Sequence, residues 1–182
     1  MKKSSPLISI GLQWGALAGI LIIVLLIAMF YIGRHPLMIS PFMDFRILLL
    51  GVCIFFSLRE FREGYQQGSL YFWQGMAGGF IMVVVAGTIA SLLLLVFCSL
   101  ESSFIPDYVK AMTAYLKTFP AEDIARIGKD VYERNLEQLP ATNSKQIASL
   151  YFIQSLMIGF FVSIILSVIL RKEPKPVNNG NN

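Results

Sequence analysis

Charge is what this sequence has least of. Asp, Glu, Lys and Arg together make up only 14% of it. From Tyr71 to Leu100 no charged side chain occurs at all. A soluble core helix of that length would need a polar face, and this run has none. At a helical rise of roughly 1.5 Å per residue it reaches about 45 Å, against a hydrocarbon core of about 30 Å. It therefore reads as a transmembrane helix. Histidine occurs once and cysteine twice. A single loop histidine, His35, with no second ligand in view assigns neither metal binding nor catalysis and is expected to be solvated. Cys53 and Cys98 fall in apolar runs at different expected depths, which argues against a disulfide between them. They read as small buried hydrophobes. Also missing are HExxH, GxSxG, a P-loop and paired carboxylates at membrane depth, so neither an enzyme nor a bound cofactor is expected.

What is present agrees with a membrane protein. Hydrophobic residues make up 55%, and mean hydropathy is +0.65, well outside soluble-domain usage. The formal net charge of +4 hints at nucleic acid until the basic residues are located. Lys2, Lys3, Arg59, Arg62, Arg171, Lys172 and Lys175 flank apolar runs, as membrane topology requires. No basic patch is interleaved with aromatics, so nucleic acid is not an expected partner. The lipid bilayer is.

Four apolar runs predict helices over about 7–32, 41–61, 70–100 and 147–170, an all-α transmembrane bundle forming one domain. The first is too long for a signal peptide and ends in bulky residues where a cleavage site needs small ones. Helix two is given Ser40 as a cap and Pro41 at its first position. Asp44 then sits in its first turn and Arg46 snorkels to the interface, so capping and anchoring outweigh a functional role for the pair. Gly64 is expected to end helix two and Ser69 to cap helix three.

Small residues recur four apart on three of these helices. Gly11, Gly15 and Gly19 mark one face of helix one, and Gly75 and Gly79 open helix three. Ser155, Gly159, Ser163 and Ser167 line helix four. Such spacing lets helix backbones approach closely in lipid, so these nine residues are the candidate packing sites. Helix two has few small residues and is expected to be the most lipid-exposed. The segment Gln13–Gly19 also echoes Trp73–Gly79, either a parallel internal repeat or a chance likeness of Gly- and Ala-rich helices.

Between helices three and four lies the one sizeable polar segment. Its apolar residues recur at helical spacing after Pro106 and again after Pro120, which predicts an extracytoplasmic amphipathic hairpin over 106–139. Its charge is close to balanced, unlike an anchor for anionic lipid. It either packs on the bundle or docks a partner, and a membrane-protein partner or a second copy of the chain stays open. Basic residues at both ends and in the 59–69 loop place the termini in the cytoplasm. The tail over 173–182 reads as disordered.

The segment Ser57–Gly79, with its charged Arg-containing turn, its glycine and its aromatic before helix three, resembles a recurrent pattern in a bacterial membrane family. So does Ile105-Pro106-Asp107-Tyr108. The family is catalogued as domain of unknown function 4199 and is common in Bacteroidota. The resemblance implies a four-pass inner-membrane protein and supplies no catalytic residues. Trp73 and Gln74 stand where members more often carry small or basic residues. A structural or accessory envelope component is the first reading. A small oligomeric transporter or channel is the second, with Gln13, Gln74, Thr88 and Gln154 facing one cavity as its mark.

Overall fold

The computed structural model describes residues 5–39 and 43–173. The expected cap at Ser40, the start at Pro41 and the tail beyond residue 173 lie outside these residues. Among the described residues there are seven α-helices: α1 (Pro6–Tyr31), α2 (Phe45–Tyr65), α3 (Phe72–Leu100), α4 (Phe104–Leu116), α5 (Ala121–Ile127), α6 (Lys129–Gln138) and α7 (Ser144–Leu170). Short 3-10 turns precede α2 at Pro36–Met38 and follow α6 at Leu139–Ala141. Among the described residues there is no strand, only an isolated bridge between Leu70 and Lys172 that ties the start of α3 to the end of α7.

Helices α1, α3 and α7 are each long and apolar enough to cross a membrane. Together they identify a membrane protein. Helix α2 is not of that kind, because its uncharged stretch runs only from Ile47 to Leu58. That is about 18 Å at the usual helical rise.

Helix α3 lies at the centre, with α1 along one flank and α7 along the other, while α2 bridges α1 and α7 and closes the ring. The seams against α3 are built from small residues. A Cβ added at Gly15 would lie 2.7 Å from the Met82 carbonyl oxygen, and one at Gly19 would lie 2.8 Å from that of Ala86. Gly11 faces Ile81 on the same seam. On the other flank Gly75 meets Ser167, Gly79 meets Ser163, and Gly159 sits against Val83. The hydroxyls of Ser155, Ser163 and Ser167 donate to the carbonyls four residues back, at 2.8, 2.7 and 2.6 Å. They thus reach the seam without an unmet hydrogen bond. Gly87, four residues before Ser91, faces Phe152 and Ser155.

Several local expectations need correction. Helix α2 runs through Gly64 to Tyr65, and the turn is made by Gln67 and Gly68, both with positive φ. The Ser69 hydroxyl donates to Gln66 O at 2.7 Å rather than capping α3, whose first backbone N–H groups are met at Tyr71 through Gln74. Nor is α2 the most exposed span. It buries seven of its 21 residues, a share no smaller than the eight of 26 in α1. Leu50, Ile54 and Leu58 are fully buried, so bulky side chains fill the wider gap that glycines close elsewhere.

The polar segment between α3 and α7 forms three helices rather than a two-helix hairpin. Gly128, at φ +96, ends α5 and starts α6. A helix interior does not allow that backbone, and glycine tolerates it. Helix α4 packs its start into the bundle's end, where Phe104 is fully buried among Phe30, Phe97 and His35. Helix α7 opens with a reciprocal cap: Gln146 N–H donates to Asn143 Oδ1 and Asn143 N–H to Gln146 Oε1, both at 3.0 Å.

Candidate functional site: a buried arginine at mid-depth

Among the described residues, the one buried ion pair inside the bundle is where α2 begins. Asp44 is its N-cap, and Oδ1 accepts the backbone N–H of Arg46 at 2.9 Å. A carboxylate suits that position, since it meets an orphan N–H and the positive end of the helix dipole. The Arg46 side chain then turns back on Asp44 and across to α7. Its Nε donates to both carboxylate oxygens, at 2.9 and 2.8 Å. Nη2 donates to Asp44 Oδ2 and, at 3.2 Å, to Gln154 Oε1. Nη1 donates to Ser155 Oγ at 3.1 Å and to Tyr151 O at 3.4 Å. The guanidinium carbon stands 4.2 Å from the centroid of the Tyr151 ring. All five guanidinium N–H groups therefore have an acceptor, and the plane of the ring takes the remaining face.

Depth is the surprising part. Ser155, which accepts from Arg46, has its Cβ 3.6 Å from where a Cβ on Gly87 would be. Gly87 lies close to the middle of the 29-residue α3, about 20 Å short of Leu100 at the helical rise. Wherever a hydrocarbon layer of about 30 Å is laid along that helix, Gly87 lies at least about 7 Å inside it, and Arg46 reaches Ser155 beside it. Arg46 is only 6% exposed. The expected snorkelling to an interface is thus corrected: α2 starts inside the bundle, and its arginine is matched by internal acceptors instead of reaching water. Non-helical backbone is tolerated at such depth only where protein covers it or it lines a cavity.

A cavity of about 540 Å³ borders the pair, walled by Leu37, Met38, Met112, Met157 and Ile158 with Asp44, Arg46 and Gln154 as its polar part. The other residues expected to share a cavity with Gln154 do not. Gln13 and Thr88 are on exposed faces, and Thr88 donates back to Val84 O at 2.7 Å. Gln74 is buried at the opposite end of α3 and accepts from Tyr71 N–H.

A second polar group is enclosed at the end of the bundle where α4 packs. His35 is not solvated as expected: its Nε2 donates to Phe104 O at 3.1 Å, and its ring lies between those of Phe104 and Tyr108. That bond fixes the proton on Nε2 in the neutral ring and leaves Nδ1 buried with no partner among the described residues. Burial holds the imidazole below its ordinary pKa, against the opposing pull of Phe104 O and the Asp107 carboxylate. Cys53 and Cys98 are both free thiols and buried.

The family model described as Protein of unknown function (DUF4199) matches residues 13–172. The chain belongs to that family. The match takes in α2, α7 and the whole Arg46 cluster, so the site lies within the domain that defines the family. No curated protein and no solved structure matches the chain significantly.

The sequence signal for the Arg46 site is the shortness of α2's uncharged stretch. About 18 Å of apolar helix cannot span the hydrocarbon alone, so one end must begin inside it.

Proposed function

We propose that this chain is a non-catalytic accessory protein of the bacterial inner membrane, four-pass with both termini cytoplasmic, which engages an envelope partner through its outer arm. The observation that carries this reading is the exposure of α5 and α6. Neither helix buries a residue, and Ile127 and Val131 stand 46% and 45% exposed on either side of the Gly128 bend. The bundle meanwhile completes its own core without them. An amphipathic pair left uncovered beside a finished core is suited to a protein surface. Its near-balanced charge favours protein over anionic lipid. A photo-crosslinking residue at Ile127 or Val131 is expected to give one discrete adduct in cells, with none from Glu133 on the polar side. Equal labelling from both faces, or none from either, would remove the proposal.

A transporter is the second reading, favoured by a helix that begins at mid-depth beside a cavity. Against it stand the fully committed Arg46 and the scatter of Gln13, Gln74 and Thr88 away from Gln154. Solute flux in vesicles holding the purified chain alone would reverse the ranking.

A further inference from the structure

We propose that the cavity beside Arg46 is a binding site for a neutral amphiphile, a single acyl chain carrying an uncharged ester, amide or hydroxyl head. The polar part of the cavity has no net charge to offer, because Arg46 and Asp44 neutralise each other. Every Arg46 N–H is already bonded, so an anionic head finds no donor there without displacing Asp44. The Asp44 oxygens already accept from the Arg46 backbone and side chain, so an ammonium head finds its counter-ion taken. What remains is the amide NH₂ of Gln154. Its Oε1 is held by Arg46, and its nitrogen has no partner among the described residues. Gln154 lines the cavity and is itself exposed; its amide carries two N–H donors, and an uncharged oxygen acceptor is their natural complement.

Depth gives the same answer. A charged head carried into hydrocarbon is expensive, and an ester or hydroxyl group much less so. The remaining walls suit an alkyl chain: Leu37, Met38, Met112 and Ile158 enclose it, and methionine adapts to a flexible partner. The route in is lateral. Met157 and Tyr115 line the cavity and are 59% and 53% exposed, and Met157 lies on the same stretch of α7 as Gly159, which packs against the middle of α3. The mouth therefore opens sideways, through the face of α7 that carries Met157.

The test uses the full chain, purified and stripped of lipid in a mild detergent, with three probes of equal chain length: monododecanoylglycerol, dodecanoate and dodecylammonium. The glycerol ester is expected to raise the unfolding temperature by several degrees, and the two ions to leave it unchanged. Gln154→Leu is expected to weaken the ester's apparent affinity about tenfold, the loss of one hydrogen bond in an apolar site. Because that variant also frees an Arg46 donor, Met157→Trp is the companion: it fills the mouth, leaves the ion pair alone, and is expected to abolish the shift. Equal shifts from all three probes, a preference for either ion, no shift from the ester, or a shift that survives Met157→Trp would each overturn the proposal.

Discussion

Replacing Gly159 with alanine puts one methyl group into the tightest point of the α3–α7 seam. The added Cβ would lie 2.3 and 2.5 Å from the two γ-carbons of Val83 and 3.0 Å from its Cβ. Carbon atoms in contact prefer about 3.5–4.0 Å, so the helices must part by roughly 1 to 1.5 Å. Val83 cannot yield easily, being fully buried and stiff at χ1. Overpacking of this kind costs about 1–3 kcal/mol, and the better helix propensity of alanine offsets about 1 kcal/mol at most. A net loss of about 1 kcal/mol would lower the unfolding temperature by about 2–4 °C for a chain of this size. Thermal unfolding in detergent, followed by tryptophan fluorescence or size exclusion, measures it. Gly51→Ala is the matched control, since its Cβ would meet nothing closer than Val162 at 3.8 Å, and it should be neutral or slightly stabilising. Val83→Ala in the Gly159→Ala background removes the clashing methyls and should recover more than the two single changes add up to. Native-like stability of Gly159→Ala, or strict additivity in the pair, would refute the close seam.

Arg46→Met should destabilise by about 3–5 kcal/mol, because it leaves the Asp44 carboxylate buried and alone. The double change Arg46→Met with Asp44→Asn should recover much of that, since asparagine still caps a helix; equal unfolding temperatures for the two would contradict a buried pair. With the His35 pKa depressed in the folded chain, the unfolded chain binds the proton first. Stability is therefore full above the ordinary value of about 6.5 and declines as pH falls from there towards the folded value. His35→Gln should flatten that decline in unfolding temperatures read between pH 8 and pH 5, and an unchanged decline would count against the buried ring. Gly128→Ala strains a position at φ +96 where its Cβ would meet only Val131 at 3.9 Å. It should raise protease sensitivity between α5 and α6 without moving the unfolding temperature of the bundle.

Helices α1, α3 and α7 were legible because apolar length and four-residue glycine spacing are local properties that need no partner to be read. The same spacing picked out Gly15, Gly19 and Gly79, which the fold turns towards a neighbouring backbone or hydroxyl. What escaped depends on distant parts of the chain. Whether Arg46 faces water or the interior is decided by Tyr151, Gln154 and Ser155, over a hundred positions away. Gly87 is the exception: it stands four residues before Ser91, so its place on the seam against Phe152 and Ser155 was legible from the same spacing. The bend at Gly128 was missed because a helical wheel drawn from Pro120 to Leu139 hides a residue whose backbone leaves the helix.

The separation between Arg46 and its acceptors also bears on how the chain is made. Arg46 emerges from the ribosome 105 residues before Tyr151 and 109 before Ser155. Until α7 is synthesised, only Asp44 can answer its charge. An arginine carries a penalty of about 2.5–3.5 kcal/mol when a segment partitions into lipid, and the short uncharged stretch behind it gives little in return. Helices α1 and α3 carry no such group, and the Arg46 guanidinium has its full set of acceptors only once α7 is present.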